Sequence, residues 1–134
     1  STEPVTGGIT LDVVENANVD EVVTVTVNLA ASAALKSLSL GGVASGPAAE
    51  VVSVKTDLFD PNRIKAIQSN RGAGFDIALS SVGDEGIPSG QVAVVEMRFK
   101  QAGEYTLSVH RLNGYGMTRQ RINLGSVAKK VIVK

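Results

Sequence analysis

The strongest constraint on this chain is an alternation of period two that returns in segment after segment. Val23, Val25, Val27 and Leu29 alternate with Thr24, Thr26 and Asn28, which puts one set on a buried face and the other on a wet one. Ala93, Val95, Met97 and Phe99 alternate with Val94, Glu96, Arg98 and Lys100. Phe75, Ile77 and Leu79 oppose Asp76, Ala78 and Ser80, and Tyr105, Leu107 and Val109 oppose Thr106, Ser108 and His110. Val127, Lys129, Val131 and Val133 share a face near the C-terminus, and shorter runs at 9–14, 35–40 and 50–58 complete the set. A helix cannot gather residues spaced two apart on one side, so most of the chain is committed to half-buried strands. The expected core comprises Val25, Val27, Leu38, Phe75, Ile77, Met97, Phe99, Leu107 and Val131.

Turn residues punctuate the runs: 16–20, Gly41-Gly42, Gly46-Pro47, Asp60-Pro61-Asn62, 72–74, Asp84-Glu85-Gly86 and 114–116. Only 61–69 reads as a helix candidate, and it is too short to organise a fold. The rhythm predicts an all-β, nine-stranded antiparallel sandwich. At 134 residues the chain fits one domain, 1–134. Val92 and Val94 fall on the outer side of their strand, which implies either a covered central strand or a contact surface.

Composition narrows function by exclusion. With no cysteine there is no disulfide framework, thiolate metal site or cysteine nucleophile. Thirteen bases against thirteen acids argue against a general nucleic-acid binder. No stretch approaches the roughly 20 apolar residues of a membrane helix, so no membrane insertion is expected. The opening residues show no targeting pattern, and there is no N-x-Ser/Thr site. Acids dominate residues 1–35 and bases dominate 105–134. Pairing across neighbouring first and last strands accounts for this asymmetry, and a basic face for an acidic partner is the other reading.

Candidate chemistry is sparse. His110, the single imidazole, reads as outward and sits beside Arg111, and no G-x-S-x-G elbow accompanies it. Asp57, Asp60, Asp76, Asp84 and Glu85 could supply paired carboxylates for glycoside cleavage, but no spacing selects a pair and the chain has no Trp. Asn16, Asn18 and Asp20 alternate like the start of a calcium loop, yet Glu21 occupies the position that needs Gly, so a polar turn is expected and no metal site. Gly72-Ala73-Gly74 precedes a strand, not a helix, so it is no dinucleotide fingerprint. The chain is read as non-enzymatic and free of cofactors.

Laid out as strands, the sequence resembles the cohesin domain, a jelly-roll β-sandwich module of cellulosome scaffolds. Residues 22–29 (VVTVTVNL) are similar to an early cohesin strand of alternating Val and Thr. Residues 35–40 and 75–80 stand where cohesins carry their third and sixth strands, and Val51-Val52-Ser53-Val54 resembles a further one. Residues 90–100 (GQVAVVEMRFK) are the nearest match, and 127–134 would be the closing strand. Gly41-Gly42-Val43 replaces the usual Tyr-Asp-Pro turn, and 59–71 departs from the pattern.

The resemblance implies a non-catalytic receptor, extracellular or at the cell surface, for a dockerin-bearing protein. A dockerin is a small calcium-loaded helical module. Any association with polysaccharide would then run through the parent protein. The binding face implied by the family's third, fifth, sixth and eighth strands comprises Ser37 and Ser39, Lys65 and Gln68, Asp76, Ala78 and Ser80, and Arg111, Asn113 and Tyr115. Tyr115, flanked by Gly114 and Gly116, is expected in a loop or bulge, either as an interface anchor or as a cap on the sandwich. Two other functions stay open: carbohydrate binding, for which only Tyr105 and Tyr115 offer aromatic rings beyond the phenylalanines, and a structural domain without a ligand.

Overall fold

A computed structural model describes residues 5–56 and 59–134. Asp57, Leu58 at the end of the 50–58 run, and Glu3 among the acids of 1–35 lie outside them. The described residues form eleven strands and no helix: β1 (Gly7–Asp12), β2 (Asn16–Ala17), β3 (Val22–Ala31), β4 (Leu35–Ser45), β5 (Ala49–Lys55), β6 (Ile64–Arg71), β7 (Gly74–Ser81), β8 (Gly90–Phe99), β9 (Gly103–Gly116), β10 (Arg121–Ile122) and β11 (Val127–Val133). Nine of them have six residues or more, the number expected; β2 and β10 are two-residue additions.

Two sheets face each other. One has the order β1-β3-β8-β5 and the other β2-β11-β9-β4-β7-β6, with β10 on the far edge of β9. Every ladder is antiparallel except the short parallel pairing of β2 with β11. Along the chain β3 to β4, β4 to β5, β5 to β6, β7 to β8 and β8 to β9 each cross from one sheet to the other, as in a jelly roll.

All nine expected core residues are buried, joined by Tyr105, Val92, Leu35 and Ile87 among others. Tyr105 is fully buried, and its ring tilts against Phe99 at a centroid separation of 4.5 Å. Its hydroxyl accepts the Ala48 N–H at 3.0 Å and lies 2.7 Å from the Gln101 carbonyl, to which it donates. The aromatic body thus fills the core while its polar end finishes off loop backbone.

Several expectations are corrected. Residues 61–69 form no helix: a turn runs to Arg63, with Asp60 Oδ1 accepting the Asn62 N–H at 2.9 Å, and from Ile64 the chain is strand β6. Pairing with β7 satisfies that backbone, and tertiary pairing overrides a weak local preference. Gly41-Gly42 is not a turn but the middle of β4. A Cβ on Gly42 would lie 2.3 Å from the Phe75 ring, so the glycine leaves room for the aromatic that faces it on β7. Val92 points inward, not outward, because β8 carries an extra residue opposite the Val27–Asn28 step of β3.

The charge seam holds only in part. The last strand, β11, pairs with β2 and not with the first strand, β1, which lies in the other sheet against β3, and among the described residues no ion pair joins 5–35 to 105–134. Lys130 pairs instead with Glu104 on β9 at 2.9 Å, which raises the Lys130 pKa.

Candidate protein-binding face

Strands β9, β4, β7 and β6 lie side by side, so the elements expected to carry the binding residues adjoin in one sheet. Register places the side chains in rows across its outer surface. One row runs Tyr115, Ser37, Ser80, Lys65, and Arg121 of β10 extends it beyond Tyr115. The next runs Asn113, Ser39, Ala78, Ile67. A third sets Gly41 beside Asp76 and Asp76 beside Ser69, with Arg111 reaching in from β9.

The floor of this surface, on β4 and β7, consists of serine, alanine and glycine with Asp76 at one end. Longer side chains on β9 and β6 stand along both sides. Two shallow depressions result, of about 340 Å³ around Ser37, Ala78, Lys65 and Tyr115, and about 290 Å³ around Gly41, Asp76, Ser69 and Arg111. They share Ser39, Ile67, Ala78 and Asn113 and so make one trough along the strands.

The Arg111 side chain crosses one end of the trough. β9 carries an extra residue opposite the Ser39–Gly41 stretch of β4, and Arg111 sits there with φ of 51°, a left-handed backbone that directs it over the sheet. Its Nη2 donates to Asp76 Oδ1 at 2.9 Å. A Cβ on Gly41 would lie 2.5 Å from that guanidinium, so this glycine is the saddle under the ion pair. His110 is exposed, and its Nδ1 lies 3.0 Å from the Gly41 carbonyl oxygen.

Nine of the ten expected face residues share this surface, and Gln68 does not. Residues 65, 67 and 69 of β6 point outward, so Gln68 points the other way, where its Oε1 accepts from Thr56 Oγ1 at 2.7 Å and ties β6 to the opposite sheet. The missed residue is Ile67, 73% exposed on the outer side. The strand period would have found it once 64–71 was read as a strand. Tyr115 belongs to the end of β9, not to a loop, at a register shift where β4 carries an extra residue between Leu35 and Ser37, and it is 40% exposed with its ring along the trough. Gly114 serves the inner side instead, where a Cβ would lie 2.7 Å from Leu124, and a Cβ on Gly116 would lie 2.8 Å from the Gln120 side chain.

Elsewhere most of the candidate groups are engaged in turns and ion pairs. Asp60, Asp84 and Glu85 line a cavity of about 630 Å³ at one end of the sandwich, but Glu85 is paired with Arg63 at 2.9 Å and Asp60 caps its turn. Asn16 opens β2 against β11, and the chain from Asn18 to Asp20 turns and is closed by Glu21, whose carboxylate accepts the Asn18 N–H at 2.8 Å. Among the described residues no three metal-ligating side chains cluster.

No family model matches the sequence, and no curated protein matches it. Solved structures do. A cohesin module of a family 33 glycoside hydrolase from Clostridium perfringens superposes with a TM-score of 0.80 at 13% identity, covering 98% of each chain. A non-cellulosomal cohesin from the hyperthermophilic archaeon Archaeoglobus fulgidus gives 0.75 at 14%, covering 95% of this chain and 91% of that one. A type II cohesin from Acetivibrio cellulolyticus, in a cohesin–X-dockerin complex, gives 0.70 at 9% over 96% and 99%. The chain therefore has the cohesin fold. The resemblance read from its strands holds at the level of architecture, over nearly the whole length.

Proposed function

We propose that this chain is a non-catalytic recognition module that binds a dockerin module on another protein, outside the cell or at its surface. The observation that carries the reading is the trough on β9, β4, β7 and β6, set on a cohesin fold. A floor of small side chains on hydrogen-bonded strands keeps one shape, so a partner meets a surface that is already organised. Ile67 and Tyr115 supply exposed apolar area on its two sides, and the serines and Asn113 between them offer hydrogen bonds that fix orientation. Carbohydrate binding fits less well, because Tyr105 is buried and Tyr115 alone offers an exposed tyrosine ring.

Titration calorimetry of the chain against a panel of calcium-loaded dockerin modules tests the proposal. At least one module should bind, and Tyr115→Ala should weaken that binding by about 2 kcal/mol while the melting temperature stays nearly unchanged. A panel without a binder would sink the reading, and so would Tyr115→Ala and Ile67→Ala variants that bind like the parent. A large fall in melting temperature with unchanged affinity would make Tyr115 a cap.

A further inference from the structure

The two outer faces of the sandwich handle charge differently. On the β1-β3-β8-β5 sheet the bases stand next to acids: Lys55 pairs with Glu96 at 3.2 Å, Lys100 pairs with Glu50 at 2.8 Å, and Arg98 lies directly opposite Glu50. Across the trough itself Lys65, Arg71, Arg111 and Arg121 stand against one carboxylate, Asp76, which Arg111 already holds, while Glu104 at the other end of β9 is taken up by Lys130. Among the described residues Lys65, Arg71 and Arg121 have no ion-pair partner. Thirteen bases balance thirteen acids over the whole chain, so this local excess comes from placement and not from composition.

Placement also gives it a shape. Lys65 and Arg121 terminate the same row, one on each side of the apolar and small residues between them. They are four strand spacings apart, about 19 Å, and a helix with its side chains is about 10–12 Å across. A helix lying along the strands would thus have one cation at each flank. Arg121 also donates to Asn113 Oδ1 at 3.1 Å, which holds its guanidinium over the sheet instead of out in solvent.

Resting on the recognition reading above, we propose that the partner's docking surface is an apolar helical ridge with acidic side chains along both flanks, and that Lys65 and Arg121 select for it. Opposite charge favours such a partner and speeds encounter, and like charge rejects a helix with basic flanks.

The probes are dockerin modules whose docking helices range from acidic to basic at the flanks, titrated against the parent chain and a Lys65→Glu/Arg121→Glu variant. The acidic modules should bind the parent at least tenfold more tightly than the basic ones, and their affinity should fall about tenfold between 50 and 500 mM NaCl. The variant should lose the acidic modules and gain the basic ones. If its melting temperature drops, Lys65→Gln/Arg121→Gln carries the comparison, with loss of preference in place of reversal. Binding that ignores flank charge, salt and both variants, yet still requires Tyr115, overturns this proposal and leaves the recognition reading standing. A parent chain that binds none of the modules overturns both.

Discussion

Tyr105 shows how much one side chain settles here. Its ring lies in the core and its hydroxyl serves the backbone of the 46–48 and 100–102 loops. Tyr105→Phe keeps the packing but strands the Ala48 N–H and the Gln101 carbonyl, so it should cost about 1–3 kcal/mol in urea denaturation. An unchanged midpoint would mean that water serves those groups as well. Glu50 gives a residue-level test of charge. The hydrogen bond and charge of Lys100, with Arg98 adding to them, hold its carboxyl below the ordinary value. A lowered carboxylate pKa means that the pair's contribution is present above the ordinary value and is lost as pH falls through the lowered one. The side-chain NMR midpoint of Glu50 should therefore rise in Lys100→Met. No movement would show that the contact does not persist in solution. Both residues are exposed, so the effect on global stability is small.

At the scale of the element, β4 and β7 share the most informative contact. The Phe75 ring lies over Gly42, and a methyl group there would overlap it. Gly42→Ala should destabilise by about 1–3 kcal/mol, since overpacking forces the ring off its position. Gly74→Ala, whose Cβ would meet only ordinary contacts, should be neutral or mildly stabilising. Equal effects at the two sites would contradict the contact. The same pair shows where reading the sequence runs out. Period two located β3, β7, β8 and β9 because each has a dry side and a wet side. Gly41-Gly42 read as a turn because a glycine's local signal is the same whether it bends the chain or makes room for a neighbour, and the neighbour is 33 residues away at Phe75. β6 was lost for a related reason: an edge strand has few buried positions, so its alternation is faint, and with it went the outward placement of Ile67 and the inward placement of Gln68.

Across the whole molecule, the architecture was legible because burial is repeated in every strand, whereas the site is a matter of register. A one-residue shift moves a side chain to the opposite surface, and the bulges in β8 and β9 introduce such shifts where no sequence signal marks them. The charge contrast between the two faces was likewise invisible in a balanced total, since it depends on which bases find acids after folding. The short parallel pairing of β2 with β11 has a mechanical consequence. Ile132 N–H donates to Glu15, Lys134 N–H to Ala17, and Val19 N–H returns to Lys134, at 2.8, 3.1 and 3.2 Å. Tension drawn toward the start of β2 and the end of β11 pulls two parallel strands in opposite directions along their length. These bonds then share the load in shear instead of parting one after another, and the trough strands β4, β7 and β6 lie beyond β9, outside the line of pull.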